Sequence, residues 1–143
     1  VQLNRATDIA LRVLMLTAAH QERQTVDELA EALSVPRNHM AKVVQRLQRL
    51  GLLSTTRGRA GGVDLAEGAV ETTVGAVVRA LEGEQEVVDC DDPPCPLRGA
   101  CRLRGALHRA HSAFLASLDE VRLADLVRPP GGPVPLTLGL KRP

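Results

Sequence analysis

Three cysteines, Cys90, Cys95 and Cys101, lie close together with the spacing C-x4-C-x5-C. Thiolates ligate iron–sulfur clusters and zinc, and both uses need deprotonated sulfur. The spacing is neither the paired C-x2-C of a zinc ribbon nor a ferredoxin pattern. Three thiolates leave one position to something else, and a position left open or held by a weak oxygen donor is where a small molecule attacks. The cysteines sit where an acidic run (Glu82, Glu84, Glu86, Asp89, Asp91, Asp92) meets an acid-free basic segment, Pro93 to Leu118. Arg98, Arg102 and Arg104 in that segment would offset the charge of a thiolate-ligated cluster. Spacing alone leaves three readings open: an iron–sulfur cluster, structural zinc, or unligated thiols acting as a redox switch. No run reaches membrane-spanning length and no secretion signal is evident, so the expected location is cytoplasmic, with no membrane partner. In that reducing compartment an odd count of cysteines argues against a disulfide framework.

A second concentration of chemistry lies upstream. No Asp or Glu occurs between Glu31 and Asp64, whereas Arg37, Lys42, Arg46, Arg49, Arg57 and Arg59 all fall there. Arg37, Asn38, His39, Lys42, Gln45, Arg46 and Arg49 share the exposed face of one expected helix. These residue types read base edges and neutralise phosphates. The first residues of a recognition helix reach deepest into the major groove, so Arg37, Asn38 and His39 are the candidates for base contact. Lys42, Arg46 and Arg49 suit phosphates, and Arg57 and Arg59 suit the electronegative minor groove. The competing reading is a helix face that is merely solvated. Phe114 is the only aromatic residue besides histidine, which argues against single-strand binding and RNA-recognition sheets, since both stack bases on aromatic rings.

The elements that must position these groups follow from periodicity. Ala6 to Ala19 is apolar on nearly every side and predicts a buried helix. Thr25 and Glu28 form a capping box that starts a short helix ending near Leu33. Pro36 suits the first turn of the next helix, whose Met40, Val43, Val44, Leu47 and Leu50 share one face, and Gly51 ends it. Two short helices joined by a tight turn make a helix-turn-helix. Leu52–Thr56 and Gly62–Leu65 then flank Arg57-Gly58-Arg59-Ala60-Gly61 as a basic hairpin, a wing. Thr73 to Leu81 predicts another helix ending at Gly83. Residues 82–96 predict a loop, followed by a long helix from about Leu97 to Leu118 whose apolar stripe asks for a twin in a homodimer. A last turn or two is expected over Val121 to Val127. The fold expected is mainly α: a winged helix-turn-helix domain (1–81), a cluster-binding loop (82–101), a dimerisation region (102–127) and an extended tail (128–143) that carries five of the nine prolines. A dimer sets two recognition helices about 34 Å apart and so predicts a palindromic site on double-stranded DNA. No nucleophile–base pair, phosphate loop or carboxylate dyad supports an enzyme.

At this point the chain resembles the iron–sulfur winged-helix repressors that include NsrR and IscR. The likeness rests on Thr7-Asp8-Ile9-Ala10-Leu11-Arg12, Arg37-Asn38-His39-Met40 with Lys42, Arg57 to Gly62, Ala80-Leu81-Glu82-Gly83, and Cys95 to Cys101. Within the family the opening and the recognition helix look like the NsrR type, the nitric oxide sensors. That resemblance implies a 4Fe-4S cluster held by Cys90, Cys95 and Cys101, with Asp8 of the other subunit as fourth ligand and Arg12 orienting that carboxylate. It also implies a transcriptional repressor that senses nitric oxide through nitrosylation of its cluster and then releases operator DNA. The alternatives are a 2Fe-2S or redox-sensing regulator of the same family, an iron–sulfur electron carrier, and a zinc-stabilised adaptor. Two departures stand out. Arg104 occupies the position where IscR-type members carry a histidine, and the first cysteine gap has four residues where the family usually has five.

Overall fold

The computed structural model describes residues 2–20, 22–83 and 85–127; the expected extended tail, 128–143, lies outside them. Helix α1 (Arg5–Ala19) is capped by Asn4, whose side chain accepts from the Thr7 N–H. Its Ile9, Ala10, Val13, Leu14 and Leu16 are all buried. Helix α2 (Val26–Leu33) starts at the Thr25–Glu28 capping box, and Ser34 ends it in the left-handed conformation. That turn leads into α3 (Arg37–Arg49), which buries Met40, Val44 and Leu47. Pro36 stands one residue ahead of the first turn, as N-cap, because its ψ of 139° is extended. Gly51 follows with φ +75°.

Strands β1 (Leu53–Thr56) and β2 (Gly62–Leu65) pair antiparallel, with Leu53 opposite Leu65 and Thr56 opposite Gly62. A single 3-10 turn at Ala69–Glu71, not anticipated from periodicity, leads to α4 (Val74–Glu82), capped by Thr73 and ended by Gly83. Helix α5 (Arg102–Asp119) begins five residues later than the apolar pattern predicts. Residues 97–100 are spent on turns instead: the Arg98 N–H donates to the Cys95 carbonyl and the Ala100 N–H to that of Leu97. No described helix is long and apolar enough to cross a membrane.

One aliphatic core unites α1 with α2, α3, α4, β2 and the short α6 (Leu123–Val127). Val13, Leu14, Leu29, Met40, Leu47 and Leu123 are its most enclosed side chains. The chain after α5 returns to this core: the Leu123 N–H donates to the Thr72 carbonyl and the Val74 N–H to that of Val121. In contrast, α5 buries none of its 18 residues. Its stripe of Leu103, Leu107, Phe114 and Leu118 is thus left for a second copy of the chain, the expected use of a long amphipathic helix.

Helix α5 is fixed to α4 at one close approach. A Cβ on Gly75 would lie 2.9 Å from the backbone nitrogen of Asp119 and would also collide with its carboxylate. That carboxylate accepts from Arg79, and the hydrogen bond holds Asp119 below the ordinary carboxylate range. Alanine for glycine inside a helix ordinarily stabilises by about 1 kcal/mol. Here the sign reverses, because the side chain can rotate away but the backbone nitrogen cannot. Gly75→Ala is expected to destabilise by about 1–3 kcal/mol in urea unfolding, while Ala80→Ser, on the exposed face, stays within about 0.5 kcal/mol. Because the folded pKa of Asp119 is depressed, its stabilisation is present above the unfolded pKa near 4 and is lost as pH falls through the lowered value. The stability gap between wild type and Asp119→Asn should therefore be widest near neutrality and close in acid. A gap independent of pH would contradict this.

Candidate functional site

Two surfaces carry chemistry. The first is built on α3 and the wing. Asn38, His39, Lys42, Gln45 and Arg49 are exposed on α3, opposite the buried face of Met40, Val44 and Leu47. Two of the expected contact residues are already engaged. The Arg37 Nε donates to Asp27 Oδ1 at 2.5 Å, linking the start of α3 to the first turn of α2. The Arg46 Nη2 donates to the Leu81 carbonyl at 2.7 Å, which satisfies one of the carbonyls left over at the end of α4.

The wing is fastened at its base and open at its tip. Gln24, ahead of α2, exchanges both backbone hydrogen bonds with Val63 at 3.2 and 2.7 Å. Arg23 reaches Asp64 Oδ2 at 2.8 Å and the Ala60 carbonyl at 3.1 Å. Gly61 is required here, since a Cβ would fall 2.7 Å from the Gly58 carbonyl oxygen. Arg57 and Arg59 are exposed beyond these ties. Sequence reasoning missed Arg23 and Gln24, because a residue that pairs across 40 positions leaves no local periodicity.

The second surface is the loop from Gly83 to Cys101. All three cysteines are free and half-buried. The Cys95 N–H donates to the Cys90 carbonyl at 3.0 Å, and Cys101 is the N-cap residue of α5. Asp89 accepts from the backbone N–H groups of Asp91 and Asp92, which lowers its pKa. Glu86 is held below its ordinary range by a forked hydrogen bond from Arg104, at 2.7 and 3.2 Å. Arg98 pairs with Asp91. Of the arginines expected to offset thiolate charge, Arg104 thus stitches the acidic loop to α5 and Arg98 pairs within the loop, whereas Arg102 is exposed and forms no ion pair among the described residues. An open cleft of about 430 Å³ lies beside Cys101, with Glu86, Arg98, Arg104 and His108 on its walls.

Asp8 lies apart from that loop in sequence, on the first turn of α1. Its Oδ1 accepts from the Arg12 Nε at 2.8 Å, and both side chains remain largely exposed. The start of α1 is tied to the end of α4, because the Asn4 N–H donates to Glu82 Oε1 at 2.6 Å. Among the described residues, no three His, Cys, Asp or Glu side chains converge as a metal site within one protomer. The donor types nonetheless fit iron: three thiolates on one short loop, beside a cleft with room for a bound group.

These features have counterparts in known proteins. The profile of the Rrf2 family, described as an iron-dependent transcriptional regulator, matches residues 3–129. The HTH-type transcriptional repressor NsrR of Streptomyces coelicolor is 50% identical over 142 residues, covering 96% of each chain. The HTH-type transcriptional regulator NsrR of Geobacillus kaustophilus is 42% identical over 132 residues, 89% of this chain and 90% of that one. Among solved structures, CymR, the global cysteine regulator of B. subtilis, superposes with a TM-score of 0.69 at 22% identity, over 88% of this chain and 95% of its own. T. potens IscR gives 0.69 at 19% identity, over 87% and 85%. At those identities the structures speak for the fold alone. With a winged helix-turn-helix, a long amphipathic α5 and a cysteine loop in place, this chain belongs to the Rrf2 family of iron-dependent transcriptional regulators, in its NsrR branch, and acts as a DNA-binding regulator rather than an enzyme.

Proposed function

We propose that the chain is a homodimeric repressor that holds an iron–sulfur cluster of the 4Fe-4S type and releases its operator in response to nitric oxide. The observation that carries this reading is the suspension of the cysteine loop. It hangs between α5, whose N-cap is Cys101, and the end of α4, whose Leu81 carbonyl is held by Arg46 of α3. A change in the loop therefore bears on the recognition helix through two short links. Cys90, Cys95 and Cys101 would supply the thiolates, and Asp8 of the second protomer an oxygen donor oriented by Arg12. When bound, the cluster would supply iron with one weakly held position, the chemistry open to a small ligand such as nitric oxide.

The chain's own residues do the remaining work. Arg12 fixes the Asp8 carboxylate, Arg104 holds the loop against α5 through Glu86, and Arg98 ties the loop to itself through Asp91. If Asp8 bridges the protomers, losing that bond resets the two recognition helices. A shift of an ångström or two at both half-sites forfeits several base contacts, each worth about 1–3 kcal/mol. Asn38 and His39 are assigned to bases, with Arg37 joining them on release from Asp27. Lys42, Gln45, Arg46 and Arg49 line the flank of the groove, and Arg57 and Arg59 extend the contact through the wing.

Anaerobic purification should yield a brown protein with about four irons per chain, bleached or shifted by nitric oxide. Cys90→Ala, Cys95→Ala and Cys101→Ala should each lose iron, and Asp8→Ala should retain some cluster with altered lability. An unchanged spectrum and an unchanged nitric oxide response in Asp8→Ala would remove that ligand from the scheme. Two irons per chain would point to a 2Fe-2S regulator, and zinc alone to a structural site. On DNA, Asn38→Ala should cost roughly 1–3 kcal/mol on a duplex selected by the protein from a random pool, and almost nothing on mixed-sequence duplex. Equal losses on both would move Asn38 to the backbone contacts.

A further inference from the structure

The cations of this chain divide into those already paired and those left free. Arg12, Arg23, Arg37, Arg79, Arg98, Arg104 and Arg122 each meet a carboxylate. Several others meet none among the described residues, and two of these, Arg5 and Lys42, line the same cleft. A cleft of about 260 Å³ between α1 and α3 is lined by Arg5, Ala6 and Ile9 on one side and His39, Lys42 and Val43 on the other. No carboxylate lines it. The nearest acid in sequence, Asp8, is bonded to Arg12.

Arg5 is also out of place by the rules of the helix that bears it. As the first residue of α1 it puts a positive charge at the positive end of the helix dipole, where acids are favoured. No ion pair among the described residues compensates for it. An exposed cation set against the local field and left unpaired beside a second cation fits an anion supplied from outside. The lining adds the rest of the chemistry. Ala6, Ile9 and Val43 offer an apolar patch, while Arg5 and Lys42 supply charged donors. Apolar surface beside converging donors matches a deoxyribose with its phosphodiester. Lys42 lies on the recognition helix itself, so the cleft opens where a strand flanking the major groove would pass.

We infer that Arg5, with Lys42, seats one backbone phosphodiester of the bound duplex in each protomer, giving α1 a direct DNA contact beside those of the recognition helix and the wing. This inference rests on the DNA-binding reading above. Arg5 stands three residues from Asp8, about 4.5 Å along the helix axis. One rigid element therefore carries both the DNA contact and the carboxylate assigned to the partner's cysteine loop.

The test compares full-length wild type with Arg5→Ala, Arg5→Lys and Lys42→Ala. Each is titrated against a short mixed-sequence duplex and against a duplex selected by the protein from a random pool, between about 50 and 200 mM salt. Arg5→Ala should weaken both duplexes by a similar factor, roughly 3- to 10-fold, and lower the slope of log affinity against log salt by about 0.9 for each phosphate lost. Arg5→Lys should recover most of the slope, and the unfolding temperature should not move. If Arg5→Ala kept wild-type affinity and slope on both duplexes while Lys42→Ala lowered them, the seat would be refuted and DNA binding would stand. A loss confined to the selected duplex would also overturn it, since a phosphate contact carries no sequence information. Wild type that bound neither duplex at low salt would refute the DNA-binding reading itself.

Discussion

Everything in this protein leans on the burial of α1. The helix is enclosed by α2, α3, α4, α6 and β2, and its Val13 and Leu14 are fully shut off from solvent. Aliphatic side chains do this almost unaided, since the single phenylalanine lies outside that cluster, on α5. Close packing of branched side chains transmits displacement rather than absorbing it. The consequence is that the exposed first turn of α1, with Asp8 and Arg5, cannot move independently of α3. Asn4 and Glu82 add a polar tie from the same turn to α4.

The opposite condition holds for α5, which has an apolar stripe that nothing among the described residues buries fully. It packs on α4 through the Gly75–Asp119 approach, and the cysteine loop enters it at Cys101, so the loop and the stripe share one helix. The acidic loop is in turn secured by arginines of the turn before α5 and of α5 itself, through the Arg98–Asp91 and Arg104–Glu86 pairs. These pairs are exposed and individually weak. On the proposed reading that weakness is useful, because a loop that must respond to a small molecule should not be locked.

Local order was legible in the sequence wherever a cap or a period announced it. The Thr25–Glu28 box, the Met40–Val44–Leu47 face and the Gly51 and Gly83 terminations all appear where the pattern puts them. The start of α5 was misread because Leu97 and Leu103 continue the apolar pattern, while turns bonded to Cys95 and Leu97 consume the intervening residues. Arg37 and Arg46 look like free cations in a sequence with no acid nearby. Their partners, Asp27 and the Leu81 carbonyl, arrive from other elements. The same blindness hid Arg23 at the wing. Arg5 did leave a signal, a basic residue in a first turn, but such a signal has meaning only once the cleft beside it is known.

The Arg37–Asp27 pair gives the recognition helix a property that a free arginine would lack. An arginine entering DNA from water gains nearly the whole of its new contact, on any sequence. One that must leave an exposed carboxylate gains less by the worth of that pair, roughly 0–1 kcal/mol, a deduction that matters for a loosely held acceptor and little for a well placed bidentate one. On the proposed reading, in which Arg37 turns to the bases, Asp27 would act as an internal competitor, a reference acceptor against which each candidate base is weighed. Such an exchange would lower attraction for arbitrary sequence more than for the right one, and the helix that precedes the reader would then share in discrimination.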